Sequence, residues 1–209
     1  MNYARKNYNP TFPRSGHRWM RNMVKSYYGK EFHFCATHKD CRQVPCIDPG
    51  TNWQKTHDFL LNDVIDSDYR YVIQVRNPLD SITSWYEFDL EHKVDFKDSK
   101  ENWDKYIIEK ITLWLGFVYK YCVRHNNINM IIVKYSDLVI NTASTLEKVI
   151  RFTAGTESVD KNLISQSITE PHSIRNIYDF RYYDYEYFKY VEDSVSIVLD
   201  YLEIDRKFS

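Results

Sequence analysis

Three short stretches of the sequence combine residue types that handle anions and protons. The first, Phe12-Pro13-Arg14-Ser15-Gly16-His17-Arg18-Trp19, runs into a helical apolar pattern over residues 20–28, with Gly29 placed to end it. A small-residue turn feeding a helix N-terminus presents unpaired backbone N–H groups and the positive end of the helix dipole, a combination that binds phosphate or sulfate. Arg14 and Arg18 add charge there. The second stretch begins at Arg76, directly after a β-rich run, and reaches Ser84 inside the following helical pattern. An arginine leaving a strand end can grip a phosphate with two parallel hydrogen bonds, and a hydroxyl about one turn into the helix can face the same anion. The third is Lys55-Thr56-His57, again at the end of a β-rich run. Imidazole, with an unperturbed pKa of about 6.5, is a neutral proton acceptor at physiological pH. Each stretch alone also has an ordinary structural reading: a capped turn with surface arginines, a helix start at Asp80, a histidine after a strand.

The first loop departs from the nucleoside-triphosphatase pattern G-x-x-x-x-G-K-[ST], because the first glycine and the Lys-[ST] pair are both missing. A kinase also needs a carboxylate, usually ending a neighbouring strand, to help hold Mg²⁺. Here the run over residues 71–75 ends in Arg76, which suits a second phosphate and repels a cation. A nucleotide with an extra ribose phosphate and no metal fits better than Mg-ATP. Cys35, His38, Cys41 and Cys46 are four residues of zinc-ligating type, but their spacing is not that of a familiar zinc finger or ribbon. No metal is therefore expected. Free or buried thiols are the default, with a redox-sensitive Cys41–Cys46 bridge as the other reading.

Strands and helices must hold these stretches in place. Residues 71–75 and 130–133 read as buried strands, and residues 32–35 and 53–56 as weaker ones. Helices are expected from near Asp80, over residues 103–124, over 144–153 and over 187–202. The third of these has Ser144 and Glu147 at capping-box spacing and Gly155 just past its end. The alternation predicts an α/β, P-loop-like three-layer domain, with a mainly parallel central sheet flanked by helices and residues 1–209 in one domain. Ligands in such sheets sit at the carboxyl ends of the strands. The segment before Phe12 should be the first strand, yet it holds Asn7, Asn9 and Pro10. Proline in a central strand removes a ladder donor, so this strand is expected to be short and late, or an edge or irregular segment.

A net charge of -1 excludes a global basic field, and with it nucleic acid or an anionic membrane as the main partner. Any anion site must be local. No run approaches the roughly 20 apolar residues of a membrane span. The first nine residues lack an apolar signal-peptide centre, so a cytoplasmic location is expected.

Together the motifs resemble the PAPS-dependent sulfotransferases, which use 3′-phosphoadenosine-5′-phosphosulfate (PAPS) as donor. Residues 12–19 are similar to that family's 5′-phosphosulfate loop, Y-P-K-S-G-T-T-W, with Arg14 for the lysine and His17-Arg18 for the two threonines. Arg76 and Ser84 match its 3′-phosphate motif, in which a serine follows an arginine by eight residues. Lys55-Thr56-His57 matches its K-T-H segment. Tyr135-Ser136-Asp137-Leu138 and the helix ending Phe152-Thr153-Ala154-Gly155 resemble its Y-E-D-L and F-L-G segments. The C-terminal R-K-G-x-x-G-x-W segment has no counterpart here, and Arg175 is the nearest replacement cation. The resemblance implies that Arg14, Ser15, Gly16, His17, Arg18 and Trp19 hold the phosphosulfate end, with Trp19 stacking on adenine. It implies that Arg76, Ser84 and Arg175 serve the 3′-phosphate, His57 is the general base, and Lys55 and Arg14 offset charge on the bridging oxygen. A small molecule or glycan with a hydroxyl or amine would be the acceptor. A small-molecule kinase, or a non-catalytic PAP- or glycan-binding module on the same fold, are the other readings.

Overall fold

The computed structural model describes residues 6–37, 39–125, 128–171 and 176–208. In chain order, β1 (Asn7–Pro10) is followed by α1 (His17–Tyr28), β2 (Phe34–Ala36) and β3 (Trp53–Thr56). Then β4 (Arg70–Val75) leads into α2 (Pro78–His92), and α3 (Lys100–Val118) continues through wider π turns (Tyr119–Arg124) towards β5 (Met130–Lys134). The remainder is helical: α4 (Tyr135–Ile140), α5 (Thr142–Ala154), α6 (Lys161–Ser167), α7 (Tyr185–Ser194) and α8 (Ser196–Tyr201). All pairings are parallel, in the order β2-β3-β1-β4-β5. This is the expected α/β architecture.

Residue alternation along β4 sorts the layers. Tyr71, Ile73 and Val75 enter one core with Leu79, Ile82, Trp103, Trp114, Phe117 and Phe188, from α2, α3 and α7. Val72 points the other way, into a second core with Met20, Met23 and Val24 of α1 and Leu146, Val149 and Ile150 of α5. Helices therefore cover both faces. The first core is clad in rings, and Tyr86 meets Phe96, Trp103, Tyr106, Phe180 and Tyr182 edge-on.

The short segment before Phe12 is the central strand. Thr11 sends its N–H to Thr56 of β3, at 3.0 Å, and Phe12 sends its N–H to Gln74 of β4, at 3.2 Å. By that alternation the donor for the Val72 carbonyl would come from position 10, where proline has none. The Asn9 side-chain amide fills the gap by donating to the Val72 oxygen. The β1–β4 ladder accordingly runs through Tyr8↔Tyr71, lapses, and resumes at Thr11↔Gln74.

Several helix boundaries differ from expectation for local reasons. Asn77 caps α2 by accepting from the Leu79 N–H at 3.0 Å, and Pro78 fits the first turn, so the helix starts ahead of Asp80. The Ser144/Glu147 capping box does not form. The helix starts at Thr142, Ser144 bonds back to the Asn141 carbonyl, and Glu147 pairs with Arg151 at 2.6 Å. Gly155 does end this helix in the left-handed conformation, φ 66°. An added Cβ there would lie 2.1 Å from the guanidinium of Arg70, which itself bonds the Thr153 carbonyl. The expected last helix is two, α7 and α8, broken at Val195. Among the described residues, no helix is long and apolar enough to cross a membrane.

Candidate active site

Strands β3, β1 and β4 lie side by side, and their carboxyl ends deliver the three chemical stretches to one place. After β1 the chain turns through Arg14 and Gly16, at φ 65° and 85°, before entering α1. Glycine is required at position 16 twice over: by its φ, and because a Cβ would sit 2.7 Å from the Tyr135 ring. The first backbone bond of α1 is Met20 N–H to Gly16 C=O. No side chain caps the helix and no acid occupies its first turn, so the leading amides and the dipole present a positive end. The hydroxyl of Ser15 is buried there with no hydrogen-bond partner among the described residues. Arg18 is exposed on the first turn of α1. Trp19 is buried, with its indole N–H on the Thr169 carbonyl at 2.6 Å and its ring edge-on to Tyr135.

Arg76 and Ser84 join this loop directly. The guanidinium of Arg76 donates to the Arg14 carbonyl at 3.2 Å and lies 4.2 Å from the centre of the Tyr135 ring. Its Nε is buried without a hydrogen-bond partner among the described residues. Asp80 stands 3.8 Å away, and its carboxylate also takes Lys207 at 3.2 Å. Arg14 in turn donates from Nε to Ser84 Oγ at 3.0 Å, with its guanidinium over Phe88. Arg14, Arg76 and Ser84 thus form one cluster, 62 and 70 positions apart in sequence from Arg14. Arg76 Nε and Ser15 Oγ, buried without hydrogen bonds among the described residues, stand beside the exposed cation Arg14 and together make a receptor for an anion.

The proton-handling groups come from β3. His57 Nδ1 is 2.8 Å from the Thr11 carbonyl. A carbonyl only accepts, so Nδ1 carries the proton and the basic lone pair of the neutral ring is on Nε2. The next residue, Asp58, is buried and fixed on four sides: by Lys120, by Tyr121 at 2.7 Å, and by the N–H groups of Asn62 and Asp63. This network holds the backbone just after His57. Lys55 is 4% exposed, and among the described residues its ammonium has no ion-pair or hydrogen-bond partner. Burial, with Lys39 and Arg21 nearby, pushes its pKa down to about 7.

His17 also enters the site, as a neutral group. Its Nδ1 meets Asn9 Oδ1 at 2.8 Å, its ring lies beside Phe34, and its Nε2 is buried without a partner among the described residues. Burial and the charges of Lys55, His57 and Arg21 hold it well below the ordinary histidine pKa. His17 therefore contributes a lone pair and no charge, and the positive field comes from Arg14, Arg76, Lys55 and α1.

Of the residues expected at the site, Arg14, Ser15, Gly16, His57 and Arg76 lie on the loops after these strands, Lys55 is near the end of β3, His17, Arg18 and Trp19 form the first turn of α1, and Ser84 is in α2. Arg175 lies outside the described residues. Sequence reasoning missed Asn9, Gln74, Tyr135 and the Asp58 network. Gln74 Nε2 reaches the Ser15 carbonyl at 3.3 Å, and Tyr135 is the platform under Arg76. Nothing local marks Asn9 or Gln74 as anything but polar strand residues.

A family model described as "Sulfotransferase domain" matches residues 10–176. Among solved structures, a sulfotransferase from Alicyclobacillus acidocaldarius is similar over 97% of each chain, with a TM-score of 0.55 at 11% sequence identity. At that identity the likeness is one of fold. No curated protein matches the chain.

Proposed function

Because the chain belongs to the sulfotransferase family, we propose that it moves the sulfuryl group of PAPS to a hydroxyl or amine acceptor by in-line transfer. The carrying observation is the cluster of Arg14, Arg76 and Ser84 against the uncapped start of α1. Ser15 Oγ and Arg76 Nε, buried without hydrogen bonds among the described residues, are the kind of atoms a doubly anionic nucleotide would satisfy.

In this reading the α1 amides, Ser15, Gly16, His17 and Arg18 surround the 5′-phosphosulfate. Arg76 and Ser84 take the 3′-phosphate, with Arg175 as a further cation, and Trp19, fixed by Thr169, flanks the adenine. The acceptor oxygen or nitrogen forms a bond to sulfur as the bond from sulfur to the phosphate oxygen breaks, releasing PAP. The acceptor proton passes to His57 Nε2. Arg14 and Lys55 offset the charge that grows on the departing oxygen. The transition state is loose, so positioning and electrostatics supply most of the acceleration.

The test is transfer of labelled sulfate from PAPS across a panel of phenols, glycans and amines, together with thermal shifts for PAP, ADP and Mg-ATP. PAP at 100 times its Kd should stabilise the fold by about 2.7 kcal/mol, and ADP by much less. Stabilisation by PAP without transfer to any acceptor would favour a binding module. Stabilisation by Mg-ATP above PAP would favour a kinase.

A further inference from the structure

Three thiols converge at the edge of the sheet, on the strand and connection that flank the Lys55 end of β3. Cys35 is on the edge strand β2, and Cys41 and Cys46 follow in the connection to β3. Their sulfur atoms all lie within 4.8 Å of one another, with Cys35 and Cys41 at 3.1 Å. Two thiolates on one tetrahedral zinc ion stand roughly 3.8 Å apart, for zinc–sulfur bonds of about 2.3 Å. The 4.8 Å bound admits that spacing, and the Cys35–Cys41 pair, at 3.1 Å, need widen only slightly to reach it.

The surrounding chain braces the triangle. Lys39 and Asp40 send their N–H groups to the Ala36 carbonyl, and Arg42 N–H reaches the Thr37 carbonyl at 2.6 Å, which folds Cys41 back onto Cys35. Gln54 of β3 then fastens both arms. Its amide nitrogen donates to the Gln43 carbonyl at 2.6 Å and stands 3.7 Å from Cys41 Sγ, while its oxygen accepts the Cys46 N–H at 2.8 Å. An amide donor directed at a ligand sulfur is the outer-shell support that thiolate metal sites carry. Packing three small apolar groups would need no such donor.

We propose that Cys35, Cys41 and Cys46 form a three-thiolate site for zinc, which pins the connection between β2 and β3. Binding replaces three S–H bonds with three S–Zn bonds and releases the protons to solvent. One of the four tetrahedral positions is left to an exogenous ligand. His38, a ligand-type residue between Cys35 and Cys41, lies outside the described residues and has no part in the site as drawn.

The experiment is a cobalt titration of the full chain, reduced and kept anaerobic. One Co²⁺ per chain should bring in thiolate-to-cobalt charge-transfer and tetrahedral d–d absorption, and equimolar Zn²⁺ should erase both. Cys41→Ser, at a half-exposed position, should lose these bands while keeping its circular dichroism spectrum. Cys122→Ser, which alters a distant buried thiol, should keep them. Zn²⁺ should raise the melting temperature of the parent and not that of Cys41→Ser. A reduced, folded parent without cobalt bands overturns the site, as does full absorption in Cys41→Ser or a Cys35–Cys41 disulfide that persists in reductant. PAP-dependent stabilisation, measured on the same Cys41→Ser protein, tests the transfer reading separately.

Discussion

Lys55 carries the most consequential side-chain environment in the site, because its ammonium is buried with no paired anion among the described residues. With its pKa at about 7 when folded, and near 10.5 in an unfolded chain, the unfolded state holds more protons between those two values. Stability of the ligand-free protein should therefore rise with pH from about 7 to about 10.5, and Lys55 should contribute no slope below that window. A bound anion reverses the preference by favouring the charged form. Affinity for PAP should be greatest below about pH 7 and fall above it, by at most about tenfold per unit, with proton uptake on binding. Calorimetry in two buffers of different ionisation enthalpy measures that uptake. Binding without net proton uptake near neutrality, or an unchanged pH profile in Lys55→Met, would remove Lys55 from the anion site. His57 differs, since its tautomer is set by Thr11 and its proposed role lies in the chemical step. His57→Ala should lower kcat by about 10²–10⁴-fold while leaving the Kd for PAP within about twofold. Full turnover in that variant would end its candidacy as the base.

Among the elements, β1 shows how a strand that reads poorly can still be central. Asn9→Ala would strip the fully buried Val72 carbonyl of its substitute donor and the half-buried His17 of its hydrogen-bond partner. An unsatisfied buried group costs about 1–3 kcal/mol, so a denaturant midpoint shifted by that amount is expected. A change under about 0.5 kcal/mol would mean that another donor takes over. The same strand explains what could be read in advance. Strands β4 and β5 were legible because their β-branched and aromatic runs suit a pleated, buried surface whatever surrounds them, while β3 read only weakly because Gln54 and Lys55 interrupt its pattern. The loops at their ends were legible because phosphate-binding turns and strand-end arginines are defined within a few residues. The place of β1 was not, because Pro10 argues against a central strand until the side chain of Asn9 is seen beside Val72. The break at Val195 lacks glycine or proline, and the start of α5 follows from its corner with α4. Both depend on packing that no local window contains.

At the scale of the whole molecule, two cores on opposite faces clamp one sheet, and the three anion-handling segments all leave its middle. The helices differ in kind between the faces. One side is a mesh of edge-on aromatic rings around Tyr86, while the other is mainly aliphatic and carries α1 with the phosphate loop. The adjacency of β3, β1 and β4 has a consequence for exchange with solvent. A nucleotide bridging the ends of these strands acts as a clasp across the centre of the ladder, and opening that region would require releasing it. Deuterium uptake at the amides of residues 53–56 and 71–75 should slow together when PAP is added. The outermost strands, Phe34–Ala36 and Met130–Lys134, should keep their original rates wherever they exchange by local fraying. Uniform protection of all five strands would show instead that the sheet opens only as a unit.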